Sequence, residues 1–586
     1  MKALKNSWDL SLLYKSEKDP QIEKDLKAIE IAFEKFEKKY KGKDFTSSSI
    51  KLSQAIKDRM ALEEVMKGSK PWWYFALRND LNSDDKVAGA KATSNNERLT
   101  LARNKIAFFK LAIAKIPKPE QKKLLNDKKL EDFKYFLRVI FDEAEYLLTE
   151  EEEQLSSLLA NPGYGMWIKG QNKLLSQQTV SYKGKKLPIP EATSILSDEP
   201  KKDRDILHKE LTKVLSGISH FAEAEINAIY NFKKIMDERR GFEKPYSATV
   251  LDYENDEETV ENLVSLVTKN FKISHRFYRL HKKLLKEKKL TLSDRGVAIG
   301  KIDKKFEFEK AVGLVKRAFE RIDHKFVEIF ERFLDNAQID VYPKKGKKGG
   351  AYCWGMTNAP TFVLLNHTGN INSVGTLAHE MGHAFHTELS KSQPIHYQGY
   401  TTSTAETAST FFEQVLDLEL EKELTDKERV VLLHNKIMGD MSTIFRQIAF
   451  FNFELELHNK IRKEGEVSKE EIAKLMSKHL KSYLGDAFEI TEEDGYFFVY
   501  LSHMRRFFYV YSYAYGQLIS RALFEKWKED KSFSKKIEQF LRAGGSMSPK
   551  DIFKSIGIDT SDPEFFRTGL KSIEKDIDRL EKLISR

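Results

Sequence analysis

Two histidines and a glutamate, His379, Glu380 and His383, form the pattern H-E-x-x-H in a segment that holds five of the fourteen histidines. On a helix, positions i and i+4 lie on one face about 6 Å apart along the axis, so two imidazoles can bind one tetrahedral Zn²⁺. Glu380, rotated about 100° from His379, can then lie beside a water at the metal and accept its proton. The pattern predicts a zinc site with a carboxylate base, a combination suited to amide hydrolysis.

The third ligand of such a site must come from outside the motif. The extended metzincin pattern needs glycine at 386 and histidine at 389, where this chain has His386 and Leu389, so that class is excluded. His386 shares the face of the motif histidines but lies about one turn further along the axis, too far for a metal bond. We expect His386 to support the site or to pack beside it.

Glu406 is the candidate third ligand, because a two-histidine site is otherwise incomplete. The other acid between His383 and position 410 is Glu388, which points away from the face of the histidines. Ser403 and Glu406 also have the spacing of a helix capping box, so a structural role for Glu406 stays open. Glu413, seven residues further on the same face, either orients a ligating histidine or is a solvated acid.

Two amphipathic helices must bring these side chains together. The first runs through VGTLAHEMGHAFHTELS with Asn372 or Ser373 as its cap, and the second begins near STAETASTFF. Before them, a turn rich in glycine and lysine and the run TFVLLN indicate a small sheet. We expect the lysines of this turn, Lys347 among them, to be solvated. Apolar residues at helical spacing recur at 20–43, 47–67, 84–115, 120–160, 203–238, 257–290 and 305–335.

The composition favours helices and excludes several classes of protein. Only 29 glycines and 14 prolines occur in 586 residues, and three prolines fall at 182–201, which we interpret as a loop between two large helical lobes. The single cysteine, Cys353, excludes disulfides and cysteine-based zinc fingers. A net charge of +10 from 99 basic and 89 acidic residues does not indicate nucleic-acid binding. The absence of a signal peptide and of long apolar runs predicts a cytoplasmic protein that binds no membrane.

An aromatic segment near the C-terminus could supply further catalytic groups. HMRRFFYVYSYAYG runs from His503 to Gly516, and its continuation at helical spacing predicts one long helix with Tyr509 and Tyr513 along one line. A tyrosine hydroxyl or the His503 N–H can stabilise the oxyanion that develops on an amide carbonyl. The alternative is an aromatic stripe in the core whose hydroxyls are satisfied elsewhere.

AHEMGHAFH followed by GYTTSTAETASTFFE resembles the thimet-oligopeptidase family of zinc peptidases, and specifically its oligoendopeptidase F-like branch. The resemblance covers most of the chain. Trp8-Asp9-Leu10 is similar to the opening of that branch, GKKGGAYCW and TFVLLNHTG to the segment before its metal helix, and HMRRFFYVYSYAYG to its C-terminal motif. It implies one Zn²⁺ per chain, with Glu380 as the catalytic base and three ligands: His379, His383 and Glu406.

The same resemblance implies further site residues and a fold. Catalytic groups are expected at His503, Tyr509 and Tyr513, support of the ligands from Glu413 and His386, and substrate binding at Gly349, Gly350, Ala351 and Tyr352. The fold class implied is mainly α: a large helical bilobed protein with a small β-sheet beside the zinc helix and a deep cleft or cavity for short peptides. We place an N-terminal helical lobe at 1–195 and a catalytic domain at 196–586.

The sequence therefore predicts a zinc-dependent endopeptidase that cleaves internal bonds of oligopeptides, as a monomer or small homo-oligomer. A zinc carboxypeptidase of related fold and a catalytically silent peptide-binding protein are the alternatives. Cobalt or manganese could replace zinc in vitro. If its edge is free, the TFVLLN strand could bind extended peptide by strand addition. Cys353 is expected to be a packing residue rather than a nucleophile.

Overall fold

The structure, a computed structural model, describes residues 4–66, 69–355 and 357–585. Helices account for 72% of the chain and strands for 3%, so the predicted mainly helical fold with small sheets is confirmed. No helix among the described residues is long and apolar enough to span a membrane.

The first half of the chain contains the following helices: α1 Pro20–Tyr40, α2 Ser49–Met66, α3 Lys70–Leu81, α4 Lys86–Asn104, α5 Ala107–Ala114, α6 Lys118–Leu125, α7 Lys134–Ala144, α8 Glu150–Ala160, α9 Met166–Ser176, α10 Ile189–Ile195, α11 Lys201–Gly217, α12 Ser219–Arg240, α13 Ser247–Asp252, α14 Glu257–Lys269 and α15 Phe271–Leu285. The second half continues with α16 Phe308–Glu320, α17 His324–Asp335, α18 Ile371–Ser390, α19 Thr402–Leu420, α20 Asp426–Asp440, α21 Arg446–Glu464, α22 Lys469–Leu484, α23 Tyr511–Glu529, α24 Ser534–Ala543, α25 Pro549–Ser555 and α26 Pro563–Ile584. The strands are β1 Thr179–Tyr182, β2 Lys185–Pro188, β3 Ile339–Asp340, β4 Tyr352–Trp354 and β5 Phe362–Leu364.

The chain divides into two compact units that interleave along the sequence. The first comprises the described residues up to Glu145, together with Asp303–Glu423 and Lys526–Ile558. The second comprises Tyr146–Ile302, Leu424–Glu525 and the described residues from Asp559 onward. The domain boundary expected at 195/196 stays a prediction.

The first unit holds a three-stranded sheet in the order β3-β5-β4. β5 is parallel to β3 and antiparallel to β4, so Val363 pairs with Ile339 on one side and with Cys353 on the other. The condition for strand addition to the TFVLLN strand, a free edge, is not met, because both edges of β5 are already paired. Trp8 anchors the N-terminal segment to this sheet, since its Nε1 donates a hydrogen bond to the Val363 carbonyl at 2.8 Å.

One lysine of the turn before β4 lies inside the first unit. The Lys347 side chain is fully buried, and its Nζ lies 2.7 Å from Asp340 Oδ1 at the end of β3. It also donates a hydrogen bond to the Tyr342 carbonyl at 2.8 Å. The expectation that this lysine is solvated is wrong, because Asp340 and nearby carbonyl oxygens satisfy the buried ammonium group.

Two segments of the second unit differ from the sequence prediction. The expected loop at 182–201 contains strand β2 of the antiparallel β1–β2 hairpin and helix α10. The expected long helix from His503 begins only at Tyr511, and Phe507 and Phe508 before it have φ of 40° and 59°. The buried Glu454 holds this left-handed pair, since its Oε1 accepts a hydrogen bond from the Phe508 N–H at 2.9 Å. A tertiary contact thus overrides the helical spacing of the aromatic residues.

Candidate metal centre

α18 carries the H-E-x-x-H motif, and a side chain fixes where the helix starts. Asn370 is the cap, because its Oδ1 accepts a hydrogen bond from the Ser373 N–H at 2.9 Å. The expected cap at Asn372 or Ser373 is therefore wrong by two or three residues. From this start, α18 buries an apolar face formed by Val374, Leu377, Ala378, Met381 and Phe385.

Helices α18 and α19 cross in direct backbone contact at Gly382. A Cβ atom built on Gly382 would lie 2.6 Å from Ser409 Cα and 3.2 Å from the Ala408 carbonyl oxygen. Those distances are too short for any side chain, so glycine is needed at this position. Behind the crossing, the rings of Phe385 and Phe412 pack with centroids 4.8 Å apart.

The crossing brings Glu406 of α19 to the two histidines of α18. His379 Nε2 lies 3.2 Å from His383 Nε2 and 3.8 Å from Glu406 Oε2. One donor atom from each of the three residues lies within 4.8 Å of the others. Glu406 is not the partner of a capping box, because α19 begins at Thr402 with Thr401 as its N-cap and Ser403 lies inside the helix.

The donor set fits a divalent metal ion such as Zn²⁺. Ligands about 2.0–2.1 Å from one ion at tetrahedral angles are about 3.3 Å apart, close to the observed separations of His379 from His383 and Glu406. His379 Nδ1 lies 2.5 Å from Glu413 Oε1, and this hydrogen bond directs the Nε2 atom of the same ring toward the other donors. Two imidazoles, one carboxylate and an outer carboxylate on a histidine are the combination that zinc sites use.

The pKa values of His379 and His383 show that a metal ion at this site would replace a proton. Burial lowers the pKa of His379, but the hydrogen bond to Glu413 and the charges of nearby glutamates outweigh it and raise the pKa to about 9. Burial and the charge of His379 lower the pKa of His383 to about 3. Without a metal, a proton on His379 Nε2 therefore lies between the two rings. A metal ion bound there displaces that proton.

Glu380 is buried beside the donor set. Burial raises the pKa of its carboxyl to about 7, with the charge of Glu406 adding to the rise and His379 opposing it. Burial likewise raises the pKa of Glu406. The charge of Glu413 also raises the pKa of Glu406. Several carboxylates buried together form a site that a dication would stabilise.

A cavity of about 440 Å³ opens beside the donor set in the first unit. It is lined by His383, Glu406, Thr387, Tyr400 and Cys353, among others. Burial raises the pKa of the Cys353 thiol well above its usual range, and the charge of Glu380 adds to the rise. A thiol that stays protonated is a poor nucleophile, which agrees with the packing role expected for Cys353.

His386 lies away from the metal donors and inside the protein. Its ring stacks on Tyr400 with centroids 3.6 Å apart and an interplanar angle of 5°. The Tyr400 hydroxyl in turn hydrogen-bonds with Thr387 Oγ1 at 2.8 Å and approaches the His383 carbonyl at 3.4 Å. His386 and Tyr400 thus buttress the turn of α18 that carries His383.

The residues expected to bind substrate lie at the start of β4. Gly349 and Gly350 lie in a bend just before β4, and Gly350 has a φ of 77° that favours glycine. The Tyr352 hydroxyl donates a hydrogen bond to Asp80 Oδ2 at 2.6 Å, so that side chain is held within the first unit. Ala351 lies between Gly350 and Tyr352 in the chain and is half-buried.

The C-terminal aromatic residues form their own cluster in the second unit. The Tyr509 hydroxyl hydrogen-bonds with His503 Nδ1. The Tyr513 ring lies 5.7 Å from that of Tyr509 and 6.2 Å from that of His503, measured between centroids. The three residues expected to act together are therefore neighbours, although α23 contains only Tyr513.

Two residues of the metal centre were missed by reasoning from the sequence. Gly382 sits inside the motif, and a glycine in the middle of a helix is a signal for close packing. Tyr400 lies in the GYTT segment that carried the family resemblance. Its stacking on His386 could not be derived, because it depends on how the loop between α18 and α19 folds back.

Comparison with known proteins places this geometry in a family. The chain is 25% identical to "Oligopeptidase PepF" of Bacillus subtilis over 99% of its length and 87% of the relative. It is 28% identical to "Oligoendopeptidase F homolog" of Borreliella burgdorferi, with 94% of each chain covered. The crystal structure of oligoendopeptidase-F from Enterococcus faecium shares the fold, with a TM-score of 0.68, 20% identity and coverage of 97% of this chain and 98% of that chain.

The profile of oligopeptidase F matches residues 113–177. The profile of peptidase family M3 matches residues 223–572, which is more than half of the chain and includes the motif, Glu406 and the C-terminal aromatic cluster. The expected resemblance to the oligoendopeptidase F branch is thus supported by relatives along the whole chain. This protein belongs to peptidase family M3.

Proposed function

We propose that this protein is a zinc-dependent endopeptidase that hydrolyses internal bonds of short oligopeptides in the cytoplasm. The observation that carries the proposal is the convergence of His379, His383 and Glu406 around one point, with Glu380 buried beside them. Its membership of a peptidase family and the names of its relatives agree with this chemistry.

His379, His383 and Glu406 would hold the zinc ion. When bound, Zn²⁺ supplies Lewis acidity, which polarises the scissile carbonyl and makes a water molecule a nucleophile near neutral pH. Glu413 keeps the proton of His379 on Nδ1, so that Nε2 presents its lone pair. The close contact at Gly382 holds Glu406 in position.

Glu380 acts as the base and then as the acid. It accepts a proton from the attacking water and passes it to the leaving amine. Burial raises the pKa of this carboxyl, which favours a group that can return the proton it has accepted. Its burial keeps bulk water from competing for that proton.

β4 is the strand on which we place an extended peptide. Among the described residues, β4 pairs with β5 on one side, whereas β5 is paired on both. Gly355, just after β4, packs on α18 so closely that a Cβ there would lie 2.2 Å from Thr387 Cγ2. Strand addition along β4 would therefore run beside the metal helix. The cavity next to His383 offers room for one peptide side chain.

His503 and Tyr509 are the groups we assign to the oxyanion. We assign the Tyr509 hydroxyl as the donor of its hydrogen bond with His503 Nδ1. This assignment leaves the ring proton on Nε2, where it is a hydrogen-bond donor. Burial lowers the pKa of His503, and the charges of Arg446 and Arg506 lower it further. A neutral ring of fixed tautomer is suited to stabilising negative charge on a carbonyl oxygen without taking up a proton. Tyr513 packs against both rings.

The function is tested by digesting a mixture of peptides of about eight to ten residues and reading the products by mass spectrometry. Internal cuts that vanish on chelation and return with added Zn²⁺ are the expected result. Removal of single residues from the C-terminus would instead indicate a carboxypeptidase. Binding of the peptides without any cut at full zinc occupancy would indicate a silent peptide-binding protein. Either result would overturn the proposal.

A further inference from the structure

Several buried polar atoms of the second unit have no hydrogen-bond partner among the described residues, and four of them belong to side chains that interact with one another. These four are Tyr278 Oη, Tyr483 Oη, Arg295 Nη1 and Arg446 Nε. All four can donate a hydrogen bond, and the two arginines cannot accept one. A buried donor without an acceptor is costly and needs an explanation, and four of them together point to an acceptor that comes from outside the chain.

These four side chains are neighbours although they come from four different segments. The rings of Tyr278 on α15 and Tyr483 on α22 lie 6.3 Å apart between centroids. Arg446 is the first residue of α21, directly after a wide π-helical turn at Met441–Phe445. Burial raises the pKa of Tyr278, while the positive charges of Arg295 and Arg446 oppose the rise. Turns of this irregular kind are frequent at functional sites, where they aim a side chain.

Arg295 and Arg446 differ from the other enclosed arginines of the same unit. Arg505 pairs with Glu225 at 2.6 Å, and Arg204 pairs with Asp294 at 2.6 Å. For Arg295 and Arg446, no carboxylate lies within ion-pair distance in the part of the chain that the structure describes. Burial lowers the pKa of Arg446, and the charge of Arg295 lowers it further. Two like charges held together without a counter-ion form a site for an anion.

The arginine pair adjoins the segment that carries His503. The guanidinium of Arg295 lies 5.9 Å from the centroid of the Phe497 ring. Phe450 connects the two places, since its ring lies 6.3 Å from that of Phe497 and 6.2 Å from that of His503. The charge of Arg446 also acts on His503, whose pKa it helps to lower. An anion bound at the pair would therefore lie in the part of the second unit that also contains His503.

We propose that Arg295 and Arg446, with the hydroxyls of Tyr278 and Tyr483, bind a carboxylate of the peptide substrate. This inference rests on the proposed function, which places His503 at the substrate. Every unmodified peptide carries a C-terminal carboxylate, and guanidinium groups recognise carboxylates through paired, charge-assisted hydrogen bonds. An acidic side chain of the peptide offers the same chemistry, so the test distinguishes these two sources.

The test measures binding rather than cleavage, using zinc-loaded Glu380→Gln protein and three fluorescent peptides of one sequence. The first peptide ends in a free carboxylate, the second in an amide, and the third in an amide with one internal glutamate. We expect the plain amide to bind about 10- to 100-fold more weakly than the free acid, as befits the loss of hydrogen bonds to a charged group. Equal binding of the glutamate peptide and the free acid would show that the site accepts a side-chain carboxylate as well as the C-terminal one. Equal binding of all three would overturn the proposal.

Substitutions of Arg295 and Arg446 test whether these two residues cause the preference for the free acid. Arg446→Gln and Arg295→Gln should each reduce the preference for the acid, while Arg446→Lys should keep part of it because the charge remains. The matched control is Arg279→Gln, an exposed arginine on α15 that pairs with Asp486 at 2.9 Å and should leave the preference unchanged. A preference that is as large in both glutamine variants as in the parent protein would contradict the proposal.

Two further readouts separate this site from a structural role and from the proposed function. Because neither arginine has a carboxylate partner among the described residues, the glutamine variants should unfold at the temperature of the parent protein or above it. A lower unfolding temperature together with an intact preference for the acid would overturn the proposal. If the zinc-loaded wild-type protein binds the free acid more tightly than the amide but cuts no peptide, the carboxylate site would stand and the proposed peptidase function would be rejected. If it binds and cuts the free acid and the amide equally well, the peptidase function would stand and the carboxylate site would be rejected.

Discussion

The replacement Gly382→Ala tests how the metal centre is assembled. A Cβ at this position would lie 2.6 Å from Ser409 Cα on α19, whereas carbon atoms prefer a separation of about 3.5–4.0 Å. Both atoms are fixed to helix backbones, so a rotamer change cannot relieve the clash. The helices must separate by about 1 Å at their crossing, which lies three residues from Glu406 on α19.

The magnitude follows from two opposing terms. Overpacking in a close-packed interior costs about 1–3 kcal/mol. Alanine regains about 1 kcal/mol over glycine through its helix propensity. The replacement Gly375→Ala on the same helix has no atom within 4 Å of the new Cβ, so it should show only the favourable term. The stabilities of the two variants should therefore differ by about 1–3 kcal/mol, which is the strain at the crossing.

Zinc affinity is the sharper readout of Gly382→Ala. Metal–ligand distances tolerate only about 0.2 Å, so a displacement of about 1 Å removes Glu406 from the donor set. Loss of a residue that only orients a metal ligand lowers metal affinity about 10- to 100-fold. Because Gly382→Ala displaces a ligand itself, we expect zinc affinity to fall more than about tenfold. Competition with a chromogenic chelator measures it, and chemical denaturation of the metal-free protein measures stability. Zinc affinity and stability equal to those of Gly375→Ala would refute the reasoning.

Three further predictions follow from the same contacts. Glu413→Gln should weaken zinc binding about 10- to 100-fold in chelator competition, because it removes the carboxylate that orients His379; unchanged affinity would contradict the pairing. Since the pKa of His379 is about 9 without metal, zinc binding at pH 7.5 should release about one proton, and zinc affinity should fall about tenfold for each pH unit below 9. Calorimetry in buffers of different ionisation enthalpy measures the number of protons released, and a number near zero would contradict the prediction. Lys347→Met should lower the free energy of unfolding by about 3–5 kcal/mol, because it leaves Asp340 buried without its charged partner. The side chain of Lys348 is 55% exposed, so the control Lys348→Met should lower it by less than about 1 kcal/mol. Equal effects of the two variants in chemical denaturation would show that burial of the Lys347–Asp340 pair does not matter.

Local rules predicted the helices that carry the site. The spacing of His379 and His383 defines one face of α18, and the apolar pattern after Ser403 indicates α19. The proximity of Glu406 and Glu413 to the histidines follows from these two helices only once their crossing is known. That crossing depends on Gly382, a residue whose importance appears when the neighbouring backbone is present.

Features that depend on distant segments were beyond the sequence. Phe507 and Phe508 follow a helical pattern, yet the Phe508 N–H donates a hydrogen bond to Glu454, more than fifty residues earlier, and this contact holds the left-handed backbone there. Lys347 looks like any lysine of a polar turn, and only the parallel pairing of β3 with β5 encloses it beside Asp340. The partners of a charged side chain are set by tertiary structure. Composition and spacing therefore could not show that Arg295 and Arg446 lack a carboxylate partner in the described part of the chain.

The most direct test of the central claim compares zinc content and peptide cleavage in the wild-type protein and Glu380→Gln. Glu380 touches no ligand position in the proposed site, so the variant should keep about one zinc ion per chain and its unfolding temperature. The rate of internal peptide cleavage should fall about 10²- to 10⁴-fold, the contribution of a positioned general base and acid. Cleavage at the wild-type rate in a zinc-loaded Glu380→Gln protein would contradict the account.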